Sequence, residues 1–233
     1  MIVYLSLFFV GIIGGFLVFF QKSLNRHLNT LLSFSGAFLL GVSFLHLLPE
    51  VFHEKTNNVG LFLLIGFFLQ LVLDYFSGGI EHGHAHVNKK AIGQFPYLVF
   101  LSLCLHALLE AFPLNQLNEG YSIGAYLSGL LLHKAPIAFV LASLLLGYQL
   151  KKRVVLFAIV VFSLMGPLGA WMGSHLNPDT DIFKQLLAVS VGIILHLSTT
   201  ILFEDSESHQ ISWKKLAPMI VGALLALLTL QLH

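Results

Sequence analysis

Charge is what this chain has least of. Twelve Lys and Arg and eleven Asp and Glu make up 10% of its 233 residues, where a soluble domain carries about a quarter. A net charge of +1 gives no broadly basic surface, so nucleic acid is not an expected partner. Cysteine is nearly missing too. Cys104 stands alone, which excludes an internal disulfide and suits a small buried hydrophobe. The opening MIVYLSLFFVGIIGG has no positively charged stretch and no small-residue cleavage pattern ahead of a polar domain, so a removable signal peptide is not expected. Also absent is the His-Glu-x-x-His pattern of zinc hydrolases. An intramembrane hydrolase with Glu110 as general base is therefore an alternative with an incomplete ligand set; the chain is not expected to be an enzyme, nor to hold an organic cofactor.

What is there is apolar. Hydrophobic residues make up 57% of the chain, with 21 Phe and a mean hydropathy of +0.86. Eight stretches, about 2–21, 31–50, 59–77, 95–114, 122–148, 154–175, 185–203 and 214–232, each approach the ~20 residues a spanning helix needs. The expectation is an all-α membrane protein, one transmembrane domain over 1–233 with a His-rich loop at 78–94. Placing the loops alternately puts Lys22, Arg26, Lys89, Lys90, Lys151, Lys152, Arg153, Lys214 and Lys215 on one side and only Lys55 and Lys184 on the other. That bias makes the first side cytoplasmic and places both termini outside. Short loops and the missing signal suggest a bacterial inner membrane.

The few ionisable residues inside these stretches carry the functional argument, because a charge in hydrocarbon is expensive. His106 and Glu110 are four apart and share one helix face. His106 and His133 each lie about 11 residues into their stretches, roughly 16 Å deep in a layer ~30 Å thick. Two imidazoles and a carboxylate at one depth suit Zn²⁺ and accept Fe²⁺, Mn²⁺, Cd²⁺ or Co²⁺. The plainer alternative is a buried Glu110–Lys134 ion pair beside hydrogen-bonded histidines. Lys134, next to a proposed dication, would point away, be deprotonated, or occupy a second ion's place.

Other polar positions line up with this centre. His46 and Glu50 close the second stretch beside Pro49, where an ion-capturing mouth competes with an ordinary interfacial end. The third stretch holds Gln70 and Asp74. In the loop that follows, His82, His84 and His86 alternate with Gly and Ala, a flexible low-affinity metal depot. Gly166-Pro167-Leu-Gly169 breaks the sixth stretch. His196 lies deep in the seventh, where a lone polar group is more often hydrogen-bonded to a neighbour than metal-bound. Gly41…Phe44-Leu45-His46-Leu47 is echoed by Gly192…Ile194-Leu195-His196-Leu197 in a stretch of opposite direction, as an inverted repeat would give.

Taken together, His46-Leu-Leu-Pro-Glu50, the His-rich loop, His106-x-x-x-Glu110, His133-Lys134 with Pro136, and Gly166-Pro167-Leu-Gly169 resemble the ZIP (Zrt/Irt-like) family of divalent metal transporters over nearly all eight stretches. The resemblance implies a three-plus-two-plus-three inverted repeat, an ion site between helices 4 and 5, frequent dimerisation, and movement of zinc or related ions towards the cytosol. The sequence departs from the two-metal version of the family. Lys134, Ile137 and Ala138 replace later ligands of helix 5, Ala107 follows the helix 4 histidine, and Gly166 stands where a carboxylate can occur. One ion rather than a bridged pair is expected, and a metal sensor that binds without conducting stays an alternative.

Overall fold

The computed structural model describes residues 1–20, 25–53, 58–83, 87–114, 121–177, 180–203 and 213–231. Among these residues every regular element is helical. The helices are α1 Ile2–Phe16, prolonged by the 3₁₀ turn Leu17–Phe19; α2 Asn25–Val42, continued through a π turn Ser43–Leu47 into Leu48–His53; α3 Val59–Ser77; α4 Tyr97–Ala111; α5 Tyr121–Gly147; α6 Lys152–Ser174; α7 Asp181–Phe203; and α8 Trp213–Gln231. Six are long and apolar enough to cross a membrane, with α4 and α8 shorter. Leu5, Phe9 and Ile13 on α1, Leu64, Phe68 and Leu71 on α3, and Leu224 and Leu228 on α8 are exposed. In water such a belt would aggregate; in a bilayer it is the lipid face. This is an all-α integral membrane protein.

Two departures from the expected bounds have a local cause, and α7 also starts four residues early, at Asp181. At its 15 residues α4 is about 22 Å long and ends at Ala111: Pro113 has no N–H for the Leu109 carbonyl, and Phe112, still helical, turns its own N–H to that carbonyl at 3.4 Å. A second departure is that α2 starts at Asn25, before the apolar stretch, and widens at Ser43–Leu47. Pro49 has no N–H to give, and its ring presses on the carbonyl four residues back, at Leu45. The described part of 78–94 is partly folded rather than flexible throughout. Positive φ at Gly78 and Gly79 turns the chain, and the 3₁₀ turn Ile80–His82 tucks Ile80, 1% exposed, against α5 and α7.

The packing carries the inverted repeat. The main helix pairs, from most to least extensive, are α3 with α7, α2 with α8, α1 with α5, α1 with α6, α4 with α6, α2 with α5, α2 with α7, α3 with α4, α5 with α6, and α4 with α7. Exchanging α1, α2 and α3 with α6, α7 and α8, and α4 with α5, maps these pairs onto one another except for α3 with α4 and α5 with α6, whose mates are slighter. Glycines mark the crossings. A Cβ on Gly66 would stand 2.0 Å from the Val189 carbonyl oxygen, and one on Gly192 2.1 Å from that of Leu63, so α3 and α7 touch backbone to backbone. At the related crossing a Cβ on Gly222 would stand 2.4 Å from the Phe34 carbonyl oxygen, and one on Gly41 2.5 Å from the Ala226 Cβ. Gly41 and Gly192 are repeat mates, and the π turn takes up the extra residue that separates Gly41 from His46.

The core is split in two along the helix axes. One apolar cluster joins Leu7, Val42, Leu47, Leu114, Leu130, Ala170, Leu187 and Ile194 towards the end where even-numbered helices finish. The other joins Leu32, Ile80, Leu103, Ile137, Phe162, Leu197 and Ile201 towards the opposite end. Between them lies the ionisable layer.

Candidate metal centre

Short backbone contacts fix α4 at that layer. Cβ atoms on Gly169 and Gly173 of α6 would lie 2.0 and 1.9 Å from the carbonyl oxygens of Leu108 and Phe112, so only glycine lets α6 approach α4 so closely. The Tyr126 hydroxyl of α5 donates to the Glu110 carbonyl, and Ser190 of α7 donates to the Leu109 carbonyl at 3.0 Å. In α5, Pro136 offers no N–H to the Leu132 carbonyl just before His133.

On this frame His106, Glu110 and His133 each present one donor atom, all within 4.8 Å of one another. Their exposures are 0%, 2% and 0%. The two imidazole rings stand 6.1 Å apart at 82°, and His106 Nε2 lies 3.2 Å from Glu110 Oε2 without hydrogen-bond alignment. Nε2 and Oε2 thus sit close together with no hydrogen bond spent between them. Two nitrogens and one oxygen leave a fourth tetrahedral position for water, which suits a zinc-like dication. A dication there would offset the cost of burying the carboxylate. Among the described residues no other group of three His, Cys, Asp or Glu comes together in this way.

Lys134 is also buried, at 1% exposure. Its Nζ lies 4.8 Å from the Phe162 ring centroid, a cation–π contact. A Cβ on Gly166 would come within 3.0 Å of it, so the glycine of α6 makes room for the ammonium. Ile137 and Ala138, the other departures in α5 from the two-metal pattern, are packed in the apolar cluster and offer no donor.

The remaining sequence candidates lie elsewhere. His46 sits in the π turn of α2 and shares a hydrogen bond with Thr229 of α8 at 2.8 Å. Glu50, one turn on, is half-buried. His196 Nε2 is 2.7 Å from Asp74 Oδ2 of α3. These two histidine contacts, α2 to α8 and α7 to α3, are repeat mates. His84, His86 and the side chain of His82 fall outside what is described. Gln70 was visible as a polar residue in an apolar stretch but had no assigned partner; its Oε1 is 2.9 Å from His106 Nδ1, and its Nε2 donates to Asp74 Oδ1 at 2.9 Å. Glu81 gave no signal. It is 0% exposed, accepts from the Ser77 hydroxyl, and burial pushes its carboxyl above the ordinary range.

Comparison with known proteins agrees with this geometry. The family model described as ZIP Zinc transporter matches residues 81–229, well over half of the chain, including every residue of the buried triad. The chain is also similar to a protein of Danio rerio named Zinc transporter ZIP1, 31% identical over 91 residues. That match covers 39% of this chain and 30% of the relative's length.

Proposed function

Because the chain belongs to the ZIP zinc transporter family, we propose that it carries a divalent metal ion, zinc in the first place, across the membrane towards the cytosol. His106, Glu110 and His133 are the ion's ligands, held between α4 and α5. The observation that carries this reading is their convergence, three buried donors within 4.8 Å on two neighbouring helices. Iron, manganese, cadmium and cobalt fit the same donors less selectively.

Both apolar clusters lie between the triad and the bundle ends, which supports an occluded carrier state. The ion reaches its ligands when the cluster around Leu47, Leu130 and Leu187 parts, and leaves when the one around Leu103, Ile137 and Leu197 parts. The symmetric packing suits rocking of one repeat against the other about a fixed site. In this reading His46 and Glu50 stand at the outer mouth, His82, His84 and His86 collect the ion inside, and Lys134 fills the place of a second ion. The basic loops make the end where α1, α3, α5 and α7 finish cytoplasmic, so both termini face outward, in a bacterial inner membrane. An inside-negative potential then favours inward passage by ~2.3 kcal/mol per charge per 100 mV. A homodimer is part of the proposal on family grounds alone.

The test is ⁶⁵Zn uptake into proteoliposomes. His106→Ala, Glu110→Ala and His133→Ala are expected to abolish saturable uptake. Uptake equal to the parent's in the first two would overturn the site. Zinc binding by the parent with no flux would mark a non-conducting sensor instead.

A further inference from the structure

A chain of three hydrogen bonds runs from the triad into α3 and α7. His106 Nδ1 meets Gln70 Oε1 at 2.9 Å, Gln70 Nε2 meets Asp74 Oδ1 at 2.9 Å, and Asp74 Oδ2 meets His196 Nε2 at 2.7 Å. Gln70 is 0% exposed. The direction of this chain follows from chemistry. An ionised carboxylate only accepts, so Asp74 requires the NH₂ end of Gln70 and the N–H of His196. That leaves the Gln70 oxygen facing His106, and an amide oxygen only accepts. His106 Nδ1 must therefore carry a proton, and in the neutral imidazole that binds a metal, Nε2, the nitrogen 3.2 Å from Glu110, is left with its lone pair.

We infer that Gln70 is a positioning residue for ion binding: oriented by Asp74 and His196, it locks His106 in the tautomer whose Nε2 can ligate a dication. A carboxylate that orients a metal-ligating imidazole is a general device; here an amide is inserted between the two and sets the polarity. The inference rests on the reading of His106 as an ion ligand. At the mate of the Asp74–His196 contact, the Thr229 hydroxyl donates to the Ala226 carbonyl at 2.6 Å and so accepts from His46 Nε2 at 2.8 Å.

The test uses the full chain in lipid nanodiscs and proteoliposomes, with zinc as the probe. Gln70→Leu keeps the volume but removes the acceptor. It is expected to weaken zinc binding by about 10- to 100-fold and to raise KM in parallel, with Vmax within about twofold of the parent's. Gln70→Glu can share one proton with Asp74 and still accept from His106 Nδ1, so it is expected to bind within a few-fold of the parent. A purely packing role gives the reverse, with Leu tolerated in an apolar interior and a second buried carboxyl disruptive. Parent-like binding by Gln70→Leu, or equal losses in both variants, overturns the inference. ¹⁵N NMR of the histidine-labelled parent, with the His106 signals assigned from His106→Ala, reads the tautomer without any change at Gln70. An unprotonated Nε2 supports the inference and a protonated Nε2 sinks it. Parent-like zinc binding by His106→Ala would instead defeat the ion site itself; loss there with no change in Gln70→Leu defeats only the relay.

Discussion

A lysine beside a proposed dication site needs a physical account. Lys134 is fully enclosed, stacked on Phe162 and admitted by Gly166, and its charge lies within electrostatic reach of Glu110. Repulsion between a unit charge and a dication in a protein interior is worth at least a kcal/mol or so. Lys134→Met is therefore expected to tighten zinc binding roughly tenfold, equivalent to ~1.4 kcal/mol, as read by competition with a fluorescent chelator. Weaker binding would mean that the ammonium helps to orient Glu110. At this scale the triad was largely legible. The i, i+4 spacing of His106 and Glu110 and the matched depth of His133 follow from helix geometry alone. The partner of His106 was not, because which face of α3 turns towards α4 depends on how three helices cross, and Gln70 has no sequence mark beyond its polarity in an apolar run.

The crossings themselves are made by glycine. Gly66 and Gly192 lie against each other's helix backbone, so any side chain at Gly192 would push α3 from α7. Gly192→Val is expected to destabilise the protein by more than the ~1–3 kcal/mol typical of overpacking, seen as a lowered Tm in detergent and loss of monodisperse protein. Gly60, in the first turn of α3, has open space where a Cβ would go; Gly60→Ala is expected to leave Tm unchanged or slightly raised. Equal behaviour of the two variants would contradict the close crossing. The eight elements could be read from hydropathy because lipid demands long apolar helices. The π turn could not. Its only trace was that His46 follows Gly41 by five residues and His196 follows Gly192 by four, and an offset of one carries no meaning until the two helices are known to be mates. The turn at Ile80–His82 was hidden for another reason: its glycines and histidines look like a solvated loop, and only tertiary contact with α5 and α7 buries Ile80 and Glu81.

At the scale of the molecule, the proposed function depends on a layer of ionisable groups sealed by an apolar cluster on each side, in a bundle whose halves are related by exchange of α1–α3 with α6–α8. Such a bundle has two faces, and the proposed assignment of them rests on the basic loops. In a Cys104→Ser background, Asp181→Cys at the start of α7 is expected to react with a membrane-impermeant maleimide added to intact cells, while Lys152→Cys at the start of α6 reacts only after permeabilisation. The opposite pattern would invert the proposed orientation. The central claim, that one dication rests between α4 and α5, is tested most directly by anomalous scattering at the zinc edge from a zinc-soaked crystal. The account predicts a single strong peak about 2.0–2.2 Å from His106 Nε2, a Glu110 oxygen and a His133 nitrogen. Zinc bound elsewhere in the protein, with no peak at these three side chains, would contradict it.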